Sequence, residues 1–178
     1  WMRLADGSGL TGLAAMSDVL ADADIMWVRP LLDVTRSDIA AYARLHALPV
    51  IDDASNRNDG FLRVRLRGFA EQLAAEGLTP ARLSRTIDKL RDAEDALAQI
   101  ADDLWQSTVS LHPAGALRID ISGWAACPRD LRRRVLQRAV MTLSALVYPP
   151  AHDLLVDIAD QASRAQLTAA TLAGCWIR

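Results

Sequence analysis

The longest periodic segment of this 178-residue chain runs from Thr79 to about residue 106, and it limits the fold more than any other feature. Mixed charges such as those of DKLRDAED alternate there with an apolar stripe at helical spacing. Thr79 followed by Pro80 is typical of a helix start, because Thr caps the first turn and Pro needs no amide partner there. We therefore predict one long amphipathic helix, a natural connector between domains. Its apolar stripe is Leu83, Ile87, Leu90, Leu97, Ile100 and Leu104.

The segment before residue 58 has an α/β pattern. A glycine-rich turn, DGSGLTGL, leads into a short apolar helix, and IMWVRPLL (25–32) is typical of a buried strand. The next segment begins with Thr35 and has Asp38 three residues later, which predicts a helix opened by a capping box. LPVIDD then returns to an extended pattern. Strand, helix and strand in this order indicate a βαβ unit, so we predict a parallel sheet.

The segment after residue 106 predicts a small hairpin and two helices. VSLHPAGALRIDI has two apolar runs about a Pro/Gly turn, and LTAATLAGCWIR at the end is typical of a single strand. The predicted fold class is the end of a parallel-sheet α/β domain followed by a mainly α-helical domain with a small β-hairpin. In the helix of CPRDLRRRVLQRAV, the residues predicted to face inward are Leu131, Val135, Leu136 and Ala139.

Composition excludes few function classes. Hydrophobic residues make up 51% of the chain, which is enough for a core, and the net charge of −2 is not that of a strongly basic nucleic-acid binder. This net charge is still compatible with a local basic patch on the surface. Cys127 and Cys175 form no CxxC pair, so we predict two reduced thiols in a cytoplasmic protein. The sequence contains no apolar run of membrane-spanning length, and we predict no contact with a membrane.

The most unusual short segment is IDDASNRNDGFLRVRLRGF (51–69), in which Arg63, Arg65 and Arg67 alternate as in a strand. The apolar residues nevertheless predict a helix, with the arginines on both flanks of its buried face. A guanidinium is a planar fork suited to phosphates, but an ordinary surface helix behind an acidic turn explains the same residues. Both interpretations stay open. The apolar positions at helical spacing are Leu62, Leu66, Phe69 and Leu73.

Two further segments are candidate anion sites. Gly7 and Gly9 open a helix where free amides could hold an anion, although the spacing is neither that of a P-loop nor that of a Rossmann turn. A tight turn leading into a helix is the alternative. The run RDLRRRVLQR, with Arg132 and Arg133, could follow a phosphate backbone or form a solvated helix face. The three histidines lack metal-ligand spacing, and we predict no metal site in the chain.

Taken in order, MRLADGSGLTGLAAM and VRPLLDVTRSDIAAYARLHALPVIDDASNRNDGFLRVRLR resemble segments of the tRNA(Ile)-lysidine synthetases. These enzymes are bacterial members of the N-type ATP pyrophosphatase, or PP-loop, family. The resemblance is specific because five or six elements occur in order at the right separations. It covers residues 1 to about 105 well, and the remainder in outline only.

The resemblance implies a tRNA-modifying ligase of the cytoplasm. Such an enzyme uses ATP, with Mg²⁺, to adenylate C2 of the wobble cytidine in an isoleucine tRNA, and the amine of free lysine then displaces AMP to give lysidine. A homodimer is compatible with an enzyme of this kind. The implied domains are 1–58, the later part of the catalytic domain, 59–106, a helical linker, and 107–178, a helical tRNA-binding domain with the start of a C-terminal domain at its end.

The resemblance also implies roles for particular residues. Arg63, Arg65 and Arg67 would be catalytic. Gly7, Ser8 and Gly9 would lie beside the nucleotide. The implied substrate-binding residues are Asp53, Ser55, Asn56, Arg29, Arg132 and Arg133.

The chain departs from the family pattern in three places. The Ser-Gly-Gly-x-Asp-Ser loop that binds ATP is absent from the sequence, and we expect it before residue 1, together with most of the ATP and Mg²⁺ site. The chain alone is therefore expected to be an inactive later part of the enzyme. Asp6 stands where members typically have Arg, and Val64 where many have Asn.

Three alternatives to a lysidine synthetase remain. The first is a truncated tRNA-binding module without catalysis. The second is a tRNA thiolation relative, which the lack of a cysteine pair disfavours. The third is a mixed helical scaffold.

Overall fold

The computed structural model describes residues 2–14, 16–22, 25–51, 53, 56, 58–144 and 146–178. Its helices are Met2–Ala5 (α1), Leu10–Leu13 (α2), Arg36–Leu45 (α3), Leu62–Gly68 (α4), Ala70–Ala75 (α5), Pro80–Thr108 (α6), Ile121–Ala125 (α7), Arg129–Leu143 (α8) and His152–Ser163 (α9). Its strands are Val19–Asp22 (β1), Ile25–Val28 (β2), Val109–Leu111 (β3), Leu117–Ile119 (β4), Ala170–Leu172 (β5) and Cys175–Ile177 (β6).

The chain divides into two compact units whose boundary lies within α6. Unit 1 is Trp1–Glu94 and unit 2 is Asp95–Arg178. Strand β1 pairs with β2, β3 with β4, and β5 with β6, and each pair is antiparallel. The described residues are thus mostly helical with small antiparallel hairpins.

Helix α3 confirms the predicted capping box. The Thr35 hydroxyl accepts a hydrogen bond from the Asp38 N–H at 3.2 Å, and the Thr35 N–H donates to the Asp38 carboxylate at 3.3 Å. Two of the amides that a helix start leaves unpaired are satisfied in this way. At the other end, His46 caps the helix and its ring lies 4.3 Å from that of Tyr42.

The strand predicted in IMWVRPLL is present as β2, but its surroundings differ from the prediction. It pairs antiparallel with β1, from Val19 opposite Val28 to Asp22 opposite Ile25. All four β2 side chains are exposed instead of buried, because no second layer of the described residues covers them. The described part of 48–53 contains no strand. The parallel sheet is therefore not confirmed.

The helices predicted after residue 58 are confirmed. The alternating arginines lie on α4, a helix and not a strand, and α5 follows after Phe69. Along the predicted stripe, Leu62, Leu66 and Leu73 are half-buried, whereas Phe69 is 53% exposed. Helix α6 begins at Pro80, with the Thr79 hydroxyl accepting from the Arg82 N–H at 3.3 Å.

The well-packed core of the described residues belongs to unit 2. Helices α8 and α9 pack against each other and against the last turns of α6. Trp124 of α7 and Leu155 of α9 are almost completely shielded from solvent, as expected for a close-packed interior. The four residues of α8 predicted to face inward, Leu131, Val135, Leu136 and Ala139, are all buried.

The end of the chain forms a hairpin instead of the predicted single strand. Strands β5 and β6 are joined by Ala173 and Gly174, whose φ angles are 54° and 78°. Two consecutive positive φ angles give the type of two-residue turn that matches the twist of a hairpin. In the sequence, the Ala-Gly pair between two apolar runs indicates this hairpin only weakly, because Ala rarely adopts a positive φ angle.

An ion-pair cluster stabilises the first turns of α8. The carboxylate of Asp130 accepts hydrogen bonds from Arg133 at 2.8 and 3.0 Å and from the Nε of Arg134. Arg133 is buried and also donates to the Gln137 side chain at 2.7 Å. Burial of Asp130 opposes its ionisation, but the hydrogen bonds and charges of Arg134 and Arg133 outweigh that effect. They lower the pKa of the Asp130 carboxyl below its usual value.

Asp130→Asn is expected to lower the free energy of unfolding by about 1–3 kcal/mol at neutral pH, because Arg133 loses its charged partner. The Asp130 side chain is 43% exposed, so solvent screening keeps the effect below that of a fully buried pair. The folded pKa is lowered, so the ionised carboxylate stabilises the fold above the unfolded pKa near 3.8. That contribution disappears as the pH falls through the folded pKa.

Urea unfolding followed by tryptophan fluorescence at neutral pH and at about pH 3 measures this difference. The control is Asp157→Asn, an exposed carboxylate of α9 that accepts only from the Gln161 side chain among the described residues. The same loss of stability at both pH values would contradict a stabilising role of the ionised Asp130 carboxylate.

Candidate functional site

The glycine turn of unit 1 connects α1 to α2 through a regular helix ending. The Ser8 N–H donates to the Arg3 carbonyl at 2.9 Å and the Gly7 N–H to the Leu4 carbonyl at 3.1 Å. Gly7 has a φ of +66°, so the pattern is a Schellman motif with glycine at the left-handed position. The amides of Gly7 and Ser8 are therefore already donated to α1. They do not form a free cradle for a phosphate.

Gly12 sets how closely this turn approaches α2. A Cβ built on Gly12 would lie 2.7 Å from the Ser8 Cβ and 3.1 Å from its hydroxyl. The Ser8 Cβ is fixed to the backbone, so any larger residue at position 12 must displace the turn. Gly12 thus keeps Ser8 against the helix, while Gly9 begins α2 in an extended conformation.

Arg29 holds the ends of the β1–β2 hairpin together. Its guanidinium donates to the Ser17 carbonyl at 3.0 Å, and its N–H donates to the Asp18 carbonyl at 2.7 Å. Both acceptors precede β1. Within the described residues, Arg29 thus binds backbone carbonyls of its own unit. Its role in substrate binding stays a prediction.

The turn before α4 contains a residue that sequence reasoning missed. The Asn58 side chain accepts from the Gly60 N–H at 2.8 Å, and the Phe61 N–H donates to the Asn58 carbonyl at 3.1 Å. This is an Asx turn, and the Asn-Asp-Gly triplet was the signal for it. Of the predicted substrate-binding residues nearby, Asp53 and Asn56 are exposed and joined by an Asn56 N–H to Asp53 carbonyl bond of 3.0 Å. Ser55 lies outside the described residues.

The three arginines of α4 have different surroundings, although all are exposed. Arg65 donates to the carbonyls of Asp59 and Gly60 at 2.8 and 3.1 Å, so it holds the preceding turn. The Arg63 guanidinium lies 4.6 Å from the centre of the Phe61 ring, within cation–π distance. Arg67 makes no hydrogen bond or ion pair within the part of the chain that the structure describes.

Arg132 and Arg133 of unit 2 are held by their own unit. Arg132 donates to the Ala125 carbonyl at 3.2 Å and to the Asp160 carboxylate at 2.8 Å. Arg133 is buried against Asp130, as described above. Both arginines thus contribute to the packing of unit 2, and phosphate binding by either stays a prediction.

The described residues present no ready metal site. Among them, no three His, Cys, Asp or Glu side chains form a group that could hold a metal ion. Within the same residues, no helix is both long and apolar enough to cross a membrane.

Comparison with known proteins shows which sequences the chain is similar to. Residues 1–73 match the model of the PP-loop domain. The tRNA(Ile)-lysidine synthase of Methylobacterium nodulans is 38% identical over 144 residues, which are 80% of this chain and 42% of the relative. That of Wolbachia pipientis is 29% identical over 180 residues, covering 99% of this chain and 41% of the relative.

The chain thus spans about two fifths of the length of these relatives. A shorter part, 33%, of the tRNA(Ile)-lysidine synthase of Symbiobacterium thermophilum is covered at 32% identity. The resemblance found in the sequence is confirmed: the chain carries a PP-loop domain match at residues 1–73 and is homologous to tRNA(Ile)-lysidine synthases over most of its length.

Proposed function

We propose that the chain is the later part of a tRNA(Ile)-lysidine synthase. The observation that carries the proposal is the homology to these enzymes, which extends from the PP-loop match into unit 2. In this assignment, residues 1–58 end a catalytic α/β domain with a parallel sheet, 59–106 form the linker, and 107–178 contact tRNA and begin a C-terminal domain. The whole protein would work in the cytoplasm. A homodimer belongs to the same proposal.

The proposed reaction has two steps. The whole enzyme would join the C2 oxygen of the wobble cytidine of an isoleucine tRNA to the α-phosphate of ATP, with release of pyrophosphate. The amine of free lysine then attacks C2 and AMP leaves with that oxygen. The adenylate makes a poor leaving oxygen into a good one, and positive charge beside the phosphates stabilises the charge that develops there.

Within this chain, α4 and the turn before it carry the proposed substrate contacts. Arg67 is exposed, and none of its donors is used by the described residues, so its guanidinium is available to a phosphate of the tRNA. Arg63 offers part of its guanidinium beside the Phe61 ring. Arg65 acts differently, because its bonds to Asp59 and Gly60 fix the turn from which α4 starts.

A second candidate is a tRNA-binding module without catalysis. The observation that favours it is the Schellman motif at Gly7 and Ser8, whose amides are donated to α1 and so are not offered to a nucleotide. The Ser8 hydroxyl and the first amides of α2, which donate to no carbonyl of their own helix, would remain at that turn for contact with ATP.

The first prediction concerns activity. A whole protein that contains this chain and a complete PP-loop domain is expected to release AMP only when ATP, lysine and an isoleucine tRNA with a wobble cytidine are all present. Thin-layer separation of labelled AMP and mass spectrometry of tRNA digests measure the two products. Absence of lysidine from the digests would contradict the synthase assignment. Salt-dependent tRNA binding with no AMP release would support the binding module instead.

The second prediction separates the arginines of α4. Arg67→Ala is expected to weaken tRNA binding by this chain and to reduce the salt dependence by about one phosphate contact, with unchanged thermal stability. Arg65→Ala is expected to lower stability as well, because the turn at Asp59 and Gly60 loses its two hydrogen bonds. Filter binding at several salt concentrations, together with thermal melts, tests both.

The control is Lys89→Ala, which removes an exposed cation of α6. Equal weakening by Lys89→Ala and Arg67→Ala would show a diffuse charge effect and would contradict the specific role of α4.

A further inference from the structure

The apolar stripe of α6 is interrupted by one carboxylate. Ile87 and Leu90 follow each other at helical spacing, but the next leucine of the stripe is Leu97. Position 94 fills this gap at the same spacing, and it is occupied by Glu94. Glu94 is half-buried like these apolar residues, whereas its neighbour Asp95 is exposed. A carboxylate at an apolar, half-buried position opposes folding unless it has a polar partner, so its presence indicates a specific contact.

The partner of Glu94 lies on α2. The Thr11 hydroxyl donates to the Glu94 carboxylate at 2.9 Å, across 83 positions of the sequence. Both residues belong to unit 1. Three residues before Glu94, the Arg91 guanidinium donates to the Met16 carbonyl at 3.5 Å, a long bond just beyond the end of α2. Helix α6 is thus attached both to α2 and to the segment that follows it.

The burial of Ala14 shows that this attachment is also packed. Ala14 caps the end of α2 and lies three residues after Thr11, so the two share one side of the helix. Its exposed fraction is 6%, and no other apolar residue of unit 1 is buried within the part of the chain that the structure describes. The attached residues Thr11 and Met16 lie on either side of Ala14. The best-shielded point of unit 1 therefore falls in the contact between α2 and α6.

Helix α2 connects this contact to the glycine turn. The Leu13 N–H donates to the Gly9 carbonyl at 3.0 Å, which closes α2 as one hydrogen-bonded turn. Gly12 follows Thr11 directly, and a Cβ on Gly12 would lie 2.7 Å from the Ser8 Cβ. A turn packed this closely cannot stay in place when its helix moves. A displacement of Thr11 is therefore transmitted to Ser8 and to the first amides of α2.

We propose that Glu94 is a positioning residue, which holds α2 and the glycine turn in place for contact with ATP. This role rests on the proposed function, in which Gly7, Ser8 and Gly9 lie beside the nucleotide. Glu94 does not touch the nucleotide, because it acts through Thr11. Groups that are fixed before the substrate arrives need no reorganisation during the reaction. A misplacement of about 1 Å costs about 10²-fold in rate, so such an attachment has a large effect on catalysis.

The position of Glu94 in the stripe separates this role from a purely structural one. Leucine at position 94 continues the apolar stripe and needs no polar partner. Replacement of a half-buried charge by an apolar residue of similar size is often neutral for stability. Glu94→Leu is therefore expected to keep the thermal midpoint of unfolding while it releases α2.

The test uses the whole protein that contains this chain and a complete PP-loop domain. Glu94→Leu and Thr11→Val are each expected to lower kcat/KM for ATP about tenfold, because each removes the same charge-assisted hydrogen bond. The double variant is expected to be no worse than either single variant, since only one bond is lost. Glu94→Gln keeps the acceptor and Thr11→Ser keeps the donor, so both are expected to retain most of the activity.

Asp95→Leu is the matched control, because it removes a carboxylate from the next, exposed position of α6. Its kcat/KM for ATP is expected to equal that of the unmodified protein. The Kd for tRNA from filter binding and the thermal midpoint are expected to be the same in all variants. A merely structural role of Glu94 would lower the thermal midpoint together with kcat/KM.

Hydrogen exchange at Leu13 and Ala14, whose N–H groups close α2, separates this role from the proposed function. Faster exchange in Glu94→Leu than in Asp95→Leu would support the attachment of α2 by Glu94. Any of three results would overturn it: equal exchange in these two variants, an unchanged kcat/KM for ATP in Glu94→Leu, or additive losses in the double variant. Absence of lysidine from digests with the unmodified protein would overturn the proposed function, and the exchange rates would then decide alone whether Glu94 holds α2.

Discussion

The guanidinium of Arg132 is the interaction on which the packing of unit 2 depends. It donates to the carbonyls of Ala125 and Cys127 at the end of α7 and to the Asp160 carboxylate of α9. The Arg132 carbonyl in turn accepts from the indole N–H of the buried Trp124 at 3.2 Å. One residue thus ties α7, α8 and α9 around the largest side chain of the core. The Arg132 side chain is largely shielded from solvent, so the arrangement in which its terminal N–H groups find these acceptors is favoured.

This use of Arg132 changes the interpretation of the basic run in α8. A row of arginines on a helix is typical of both a phosphate-binding face and a network that stabilises the fold, and the sequence does not distinguish them. The carboxylates that pair with these arginines are partly close in the chain, as Asp130 is to Arg133, and partly distant, as Asp160 is to Arg132. A short i to i+3 spacing is visible in a sequence, whereas a partner 28 residues away is not.

The separation along the chain between interacting residues also explains which predictions were correct. The capping box of Thr35 and the start of α6 at Thr79 depend on residues within three positions, and both were predicted. The buried face of α8 follows from periodicity alone. Strand β2 was predicted as a strand, but its antiparallel partner β1 and its exposed side chains depend on neighbours that no local pattern identifies. At the candidate site, the positions of the arginines in α4 could be predicted, but the attachment of Arg65 to Asp59 and Gly60 could not.

The two units differ in how far their apolar side chains are packed by the described residues. Unit 1 exposes apolar side chains, among them Trp27 of β2 and Tyr42 of α3. Apolar contact is non-directional, so such a surface indicates that something covers it without indicating what. Unit 2 has a packed apolar core around Trp124 and Leu155, although it also exposes Tyr148 and Trp176. Close packing fixes the positions of the core side chains, so the interior of unit 2 is specified by its own residues.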